Sequence, residues 1–346
     1  MSRWIDASEQ GRRFLVNAVS TKKNIYPESV EKDWWVTEVL KALFCMSCAD
    51  YLLFKGGTSL SKGWNLINRF SEDIDIALNR AYYKDVRGFD FAECRNNNQV
   101  KNLRKANRDY ILGEFVDELD SILSASGITG YQIEKVETHN TREGAQPIDH
   151  DKDPSCIMVH YPTLFGGGAG YLRPAVKVEI SSLSMREPFE NKHISSLIND
   201  KFPDLDSETF ADINTVSPAR TFLEKAFLLN EEMQRDFPRT RRMSRHLYDL
   251  EHLMDSEYGK AALADFGLYE SIVKHREKFY HVGGVDYSTD MPDKIRIVPE
   301  GELLEKFRAD YSSMKESMIF GDKLEFDHII ERLKELQERF RRLSRQ

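Results

Sequence analysis

Two aspartates spaced i, i+2, Asp73 and Asp75, follow a glycine pair, Gly56 and Gly57, inside the stretch KGGTSLSKGWNLINRFSEDIDIAL (55–78). Alternation with Ile74 and Ile76 predicts a strand with one apolar and one acidic face. Residues i and i+2 on a strand lie roughly 6.5–7 Å apart at Cα, so their carboxylates can converge on a hard divalent cation. Magnesium takes one or two carboxylates plus substrate phosphates. Two such ions stabilise the attacking and leaving oxygens of an in-line displacement. The glycines supply the other half, because backbone without side chains approaches a triphosphate closely. A helix opening at Thr58 would turn its positive end toward the same anion. The hydroxyls of Thr58 and Ser59 and the ammonium of Lys62 complete the expected nucleotide contacts. A glycine pair alone is usually a turn, and a lone pair of strand acids is common on surfaces. Their conjunction is what points to nucleotide chemistry.

Other motifs point less sharply. QRDFPRTRRMSRH (234–246) places Arg239, Arg241, Arg242 and Arg245 beside Arg235 with one acid, Asp236. In an acidic chain this is a local basic patch able to grip an RNA backbone, or else a solvated helix end. A second basic face comes from Lys101, Arg104, Lys105 and Arg108. GGGAG (166–170) lacks a following GK[ST] and reads as a hairpin loop rather than a phosphate loop. Cys45 and Cys48 form a CxxC with no second half at zinc spacing, and read as buried thiols. No nucleophile elbow accompanies the histidines, and His246 reads as a helix-surface residue.

The elements that must position these residues follow from periodicity. Residues 1–54 read as helical, with Pro27 ahead of Trp34, Trp35, Val39 and Leu43 at helical spacing. Thr58–Asn68 reads as a short helix and Phe70–Leu78 as the acidic strand. Residues 97–125 read as helical and Tyr131–Glu137 as a strand. CIMVHYP (156–162) and PAVKVEI (174–180) read as a hairpin. A turn-rich acidic segment near 190–214 predicts a boundary between domains at 1–204 and 205–346. Beyond it the chain is helical, with Ser217 as N-cap and Pro218 at the first helical position. A last amphipathic helix carries Phe326, Ile329, Ile330, Leu333, Leu336 and Phe340 on one stripe.

Composition bounds the rest. The chain has 346 residues, formal net charge −8, 40% hydrophobic and 31% charged residues, which suits two globular domains. An acidic chain has no bulk attraction to nucleic acid, so any contact with it must be local. No signal-like or membrane-spanning apolar run is present, and cysteines are sparse, so a cytoplasmic, reduced protein is expected.

KGGTSLSK followed by RFSEDIDI closely resembles the signature of the AbiEii/AbiGii toxin nucleotidyltransferases, a branch of the DNA polymerase β-like superfamily. The resemblance spans roughly residues 35–255. It implies an α+β fold: a polymerase β-like mixed sheet with flanking helices plus a C-terminal helical domain, with the active site in the cleft between them. It also implies a third acid on a later strand, Glu179 in AVKVEI, with Glu187 and Asp153 as competitors. Lys225, in SPARTFLEKAFLL, and Asp249, in SRHLYDLEHL, match a helical lysine and an Asp-Leu pair of the family. In this reading Asp73, Asp75 and Glu179 hold one or two Mg²⁺, and one of these acids or Asp249 accepts the proton of the attacking hydroxyl. Lys225 neutralises charge on the triphosphate or departing pyrophosphate. The implied activity is NMP transfer from an NTP, with tRNA 3′ ends as the favoured acceptor. Transfer to a protein or small molecule, and nucleotide or RNA binding without turnover, are the alternatives. The implied setting is a toxin–antitoxin or abortive-infection system with a cognate antitoxin.

Overall fold

The computed structural model describes the chain except residues 1–2, 92–93, 95, 142–143, 166–172, 187, 281, 321–322 and 344–346. The described residues form two compact units. The first comprises residues 1–63 and 71–215; the second comprises 64–70 and 216–346.

The first unit opens with α1 (Glu9–Lys23) and α2 (Pro27–Leu43), with Pro27 in the first turn of α2 as its missing N–H allows. Strand β1 (Leu52–Lys55) leads into a single turn, α3 (Gly56–Thr58), continued by a π-type turn over Ser59–Gly63. The short helix expected over Thr58–Asn68 therefore begins at Gly56 and ends at Gly63. Strand β2 (Asp73–Leu78) follows, then α4 (Ala81–Asp85), α5 (Asn97–Tyr110) and α6 (Val116–Ala125), the last two joined by a π-type turn. The remaining strands of this unit are β3 (Gln132–Lys135), β4 (Thr138–Thr141), β5 (Gly144–Pro147), β6 (Ser155–His160), β7 (Ala175–Ser181), β8 (Phe189–Ser195) and β9 (Phe210–Val216), with α7 (Leu197–Lys201) between β8 and β9.

Among the described residues, seven strands form one mixed sheet in the order β3-β6-β7-β2-β1-β9-β8, and β4-β5 form a separate hairpin. β2 runs antiparallel to β1 and parallel to β7, and β6 and β7 form the expected antiparallel hairpin. Leu52, Leu53, Phe54, Ile74, Ile76, Val178 and Ile180 are buried in the core. The turn-rich segment expected to part the domains is instead woven into this sheet: β9 pairs with β1 through Phe54 and Thr215. The division accordingly falls at Thr215–Val216 rather than near residue 205.

The second unit is helical. Its members are α8 (Pro218–Met233), α9 (Ser244–Met254), α10 (Glu257–Ala264), α11 (Phe266–Phe279), α12 (Gly301–Ser317) and α13 (Phe326–Leu343). Ser217 caps α8 by accepting from the Ala219 N–H, and α13 buries the stripe Phe326, Ile329, Ile330, Leu333, Leu336 and Phe340. Residues 64–70 join this unit: Phe70 N–H donates to Met318 O and Phe320 N–H to Asn68 O. Among the described residues no helix is long and apolar enough to cross a membrane.

Candidate active site

The acidic face of β2 is where the chemistry gathers. Register places Asp75 opposite Lys55 on β1 and opposite Glu179 on β7, and Asp73 opposite Lys177. Paired residues of a sheet share a face, so both aspartates, Lys177 and Glu179 stand on one side, opposite the buried Ile74 and Ile76. Glu179 is thus beside Asp75 in the register of β2 and β7. Its Oε1 accepts from the Lys177 ammonium at 2.6 Å. Burial pulls the Lys177 ammonium down, but Glu179 and Asp73 outweigh it and the net shift is upward. Lys177 was not singled out as a functional residue from sequence; the signal available was its i, i+2 spacing from Glu179 on one strand.

Gly56 fixes the relation of the turn to the acids. Its φ is +79°, and a Cβ there would overlap Asp75 Oδ2 and stand 2.7 Å from its Cγ. Backbone therefore lies directly against the Asp75 carboxylate, a closeness only glycine permits. The hydroxyls assigned to nucleotide contact are used to lock this arrangement. Thr58 Oγ1 donates to the Asp73 carbonyl and lies 2.9 Å from the Ser71 hydroxyl, and Ser59 Oγ donates to Gly56 O. Both residues are fully buried, so they position the turn instead of facing a ligand through their hydroxyls.

Lys62 differs from expectation for the same kind of reason. Its ammonium donates to Asp33 Oδ1 at 2.5 Å and to Ser195 O at 3.0 Å, and both side chains of the ion pair are nearly buried. Asp33 also accepts from the Leu197 N–H. Lys62 thereby ties the π-type turn to α2 and to the end of β8. Lys62→Met leaves Asp33 buried and short of its charge partner, and is expected to cost about 3 kcal/mol of stability in denaturant unfolding. A loss below about 1 kcal/mol contradicts this role.

Of the competitors for the third acid, Glu187 lies outside the described residues. Asp153 accepts from Ser181 Oγ at 2.6 Å, and Ser181 pairs with Ala77 one step along β2–β7 from Glu179. Burial pushes the Asp153 carboxyl up to about 6, against the opposing pull of Ser181, Lys55 and Arg104. A carboxyl held toward its neutral form suits a cation less well than the register partner of Asp75 does.

As a donor set, two strand carboxylates beside a side-chain-free turn suit a magnesium ion arriving with a triphosphate. Among the described residues no three His, Cys, Asp or Glu side chains are gathered as a metal shell.

The second unit holds the other pair. Asp249 on α9 is fully buried and accepts from Arg69 at 2.6 and 2.8 Å and from the Lys225 ammonium of α8 at 2.8 Å. Burial pushes its carboxyl up, but Arg69 and Lys225 outweigh it and hold it well below the usual carboxylate range. Burial first, then Arg69, lowers the Lys225 ammonium although Asp249 supports it. Asp249 with three charge-assisted bonds is a poor proton acceptor, so the general-base role considered for it is not supported. His246 is half-buried, and its Nδ1 is shielded from solvent without a hydrogen-bond partner. Burial, then Lys225 and Arg245, keep its ring neutral well below the ordinary histidine value.

The arginine run splits in two. Arg239 and Arg241 are exposed, whereas Arg242 and Arg245 are half-buried and act electrostatically on Arg69 and Lys225 respectively. The earlier basic face splits likewise, with Lys101 and Lys105 exposed and Arg108 buried. Cys48 is buried as expected, with its thiol pushed up to about 11, but Cys45 is exposed. The GGGAG loop lies outside the described residues.

No curated protein sequence matches the chain. Among solved structures it is similar to MenT4, a nucleotidyltransferase toxin from Mycobacterium tuberculosis H37Rv, with TM-score 0.52 and 16% identity over 96% of this chain and 89% of that one. At that identity the likeness concerns the fold. The family model described as nucleotidyl transferase AbiEii toxin, type IV toxin–antitoxin system, matches residues 38–332. That span contains the glycine turn, the acidic face of β2 and β7, and the Lys225–Asp249 pair, and the chain belongs to the AbiEii family of nucleotidyltransferase toxins.

Proposed function

We propose that the chain seats an NTP and its magnesium at the Gly56–Gly57 turn and the acidic face of β2, and transfers the NMP to an RNA 3′ hydroxyl with release of pyrophosphate, with tRNA as the favoured acceptor. The observation that carries this reading is the contact of Gly56 with Asp75, which sets phosphate-accessible backbone against a metal-binding carboxylate. Asp73 and Asp75 would hold the cation, with Glu179 beside Asp75 as the third acid. The bound cation would supply charge neutralisation on the triphosphate. The N–H groups of the turn bind phosphate oxygens. Lys177 offsets charge on the acidic face until the substrate complex arrives, and a β2 or β7 carboxylate takes the hydroxyl proton. Lys225, gripped by Asp249, serves here as an organiser of the helical unit.

RNA is favoured over a protein or small-molecule acceptor by the exposed Arg241, beside an Arg239 that is paired with Glu232, which gives an acidic chain a local cationic surface. Type IV family membership implies an antitoxin partner, and a cytoplasmic location suits both substrates. Asp75→Asn is expected to lower label transfer from [α-³²P]NTP to total tRNA by at least about 100-fold. Transfer within a few-fold of wild type contradicts the assignment, and label appearing only on protein or small molecules contradicts the acceptor.

A further inference from the structure

The loop between α8 and α9 carries the most solvent-exposed large apolar side chain among the described residues, Phe237, 92% exposed. The loop that presents it is anchored on the C-terminal side of Phe237. Glu232, almost fully buried, accepts from the Arg239 N–H at 2.6 Å and from its guanidinium Nε at 2.8 Å, with Arg235 a further 3.6 Å ion-pair partner. Further along the loop Asp310 accepts from the N–H groups of Arg242 and Ser244 and from the Ser244 hydroxyl. Both acids thus hold backbone that follows Phe237, at Arg239 and at Arg242 and Ser244, and the Phe237 ring is left in water. Burying a phenylalanine ring is worth about 1.5–3 kcal/mol, and this fold forgoes it at a position flanked by arginines.

An aromatic face among arginines has a specific chemical complement: an unstacked base on a phosphodiester chain. The ring takes the base in a sequence-tolerant way and the guanidinium groups take the phosphates. A single ring on a basic loop is too small an apolar surface for a stable protein interface. Charge complementarity in a chain of net charge −8 makes a polyanion the occupant that this loop fits.

We propose that Phe237 is a stacking platform for one unpaired base of a single-stranded RNA, with Arg241 on the adjoining phosphate while Arg239 stays paired with Glu232. The proposal rests on the reading of RNA as acceptor and adds the residue that holds the strand.

The test uses the full chain and a fluorescein-labelled single-stranded RNA dodecamer followed by anisotropy. Phe237→Ala is expected to weaken binding roughly 5- to 100-fold, the loss typical of removing one base–aromatic stack, with the salt slope unchanged. Arg241→Glu should reduce the slope by about one. Phe237→Trp should retain affinity and show fluorescence quenched by RNA beyond the wild-type response, since Trp4, Trp34, Trp35 and Trp64 are all buried. Binding by Phe237→Ala within twofold of wild type overturns the platform, while wild-type labelling of RNA would leave the acceptor reading standing. Wild-type protein that neither binds nor labels RNA overturns both. Loss of affinity for a co-expressed antitoxin with RNA binding intact overturns the RNA assignment of Phe237.

Discussion

Gly56→Ala is expected to lower nucleotidyl transfer by at least about 100-fold while the protein remains folded. The added methyl meets two obstacles at once. At φ +79° an L-residue costs about 1–2 kcal/mol relative to glycine. The Cβ also overlaps Asp75 Oδ2 and approaches its Cγ at 2.7 Å. Asp75 belongs to a central strand paired on both sides, so its backbone cannot retreat and the carboxylate must rotate away. Misplacement of a reacting group by about 1 Å is enough for a loss near 100-fold. Transfer kinetics alongside a circular-dichroism melt check this: activity should collapse while the melting temperature falls only modestly. Activity within tenfold of wild type would show that the Gly56–Asp75 contact does not define the site.

Asp249→Asn is expected to destabilise the helical unit by about 3–5 kcal/mol at neutral pH, the range for removing one partner of a buried ion pair. Arg69 and Lys225, both buried, would be left facing each other without the carboxylate that joins α8, α9 and the 64–70 segment. The pH dependence has a definite sign. Because Arg69 and Lys225 hold the folded-state carboxyl well below its ordinary value, its contribution is fully present above the unfolded pKa near 4. It is lost as pH falls further through the folded value. The difference between wild type and Asp249→Asn in urea unfolding should therefore be full at pH 6–8 and shrink below about pH 4. A difference under about 1 kcal/mol at pH 7 contradicts the role assigned to this cluster.

The parts of the fold that were legible in the sequence are those fixed by local pattern. Alternation around Asp73 and Asp75 gave the strand and its two faces, and the apolar stripe from Phe326 to Phe340 gave the last helix. Register across β2 and β7, which brings Glu179 beside Asp75, was accessible only through family resemblance, because no local signal says which strands pair. Long-range pairing of charges is what periodicity cannot register. Lys32 and Asp33 on α2 are buried because Glu72 and Lys62, distant in sequence, neutralise them. Read locally, Lys62 looked like a free cation beside a phosphate turn. Thr58 and Ser59 misled for a related reason, since a hydroxyl near a glycine turn serves equally to bind phosphate or to lock the turn. The domain boundary was displaced because an acidic, turn-rich segment still supplied β9, whose pairing with β1 decides its place.

The central claim, that the glycine turn and the β2 aspartates form one nucleotide–metal site, is tested most directly by crystallography of the chain with Mn²⁺ and a non-hydrolysable NTP analogue. The account predicts an anomalous Mn²⁺ peak ligated by Asp73 and Asp75, with the triphosphate against the backbone of Gly56 and Gly57. A nucleotide bound elsewhere, or Mn²⁺ that touches neither aspartate, would contradict it.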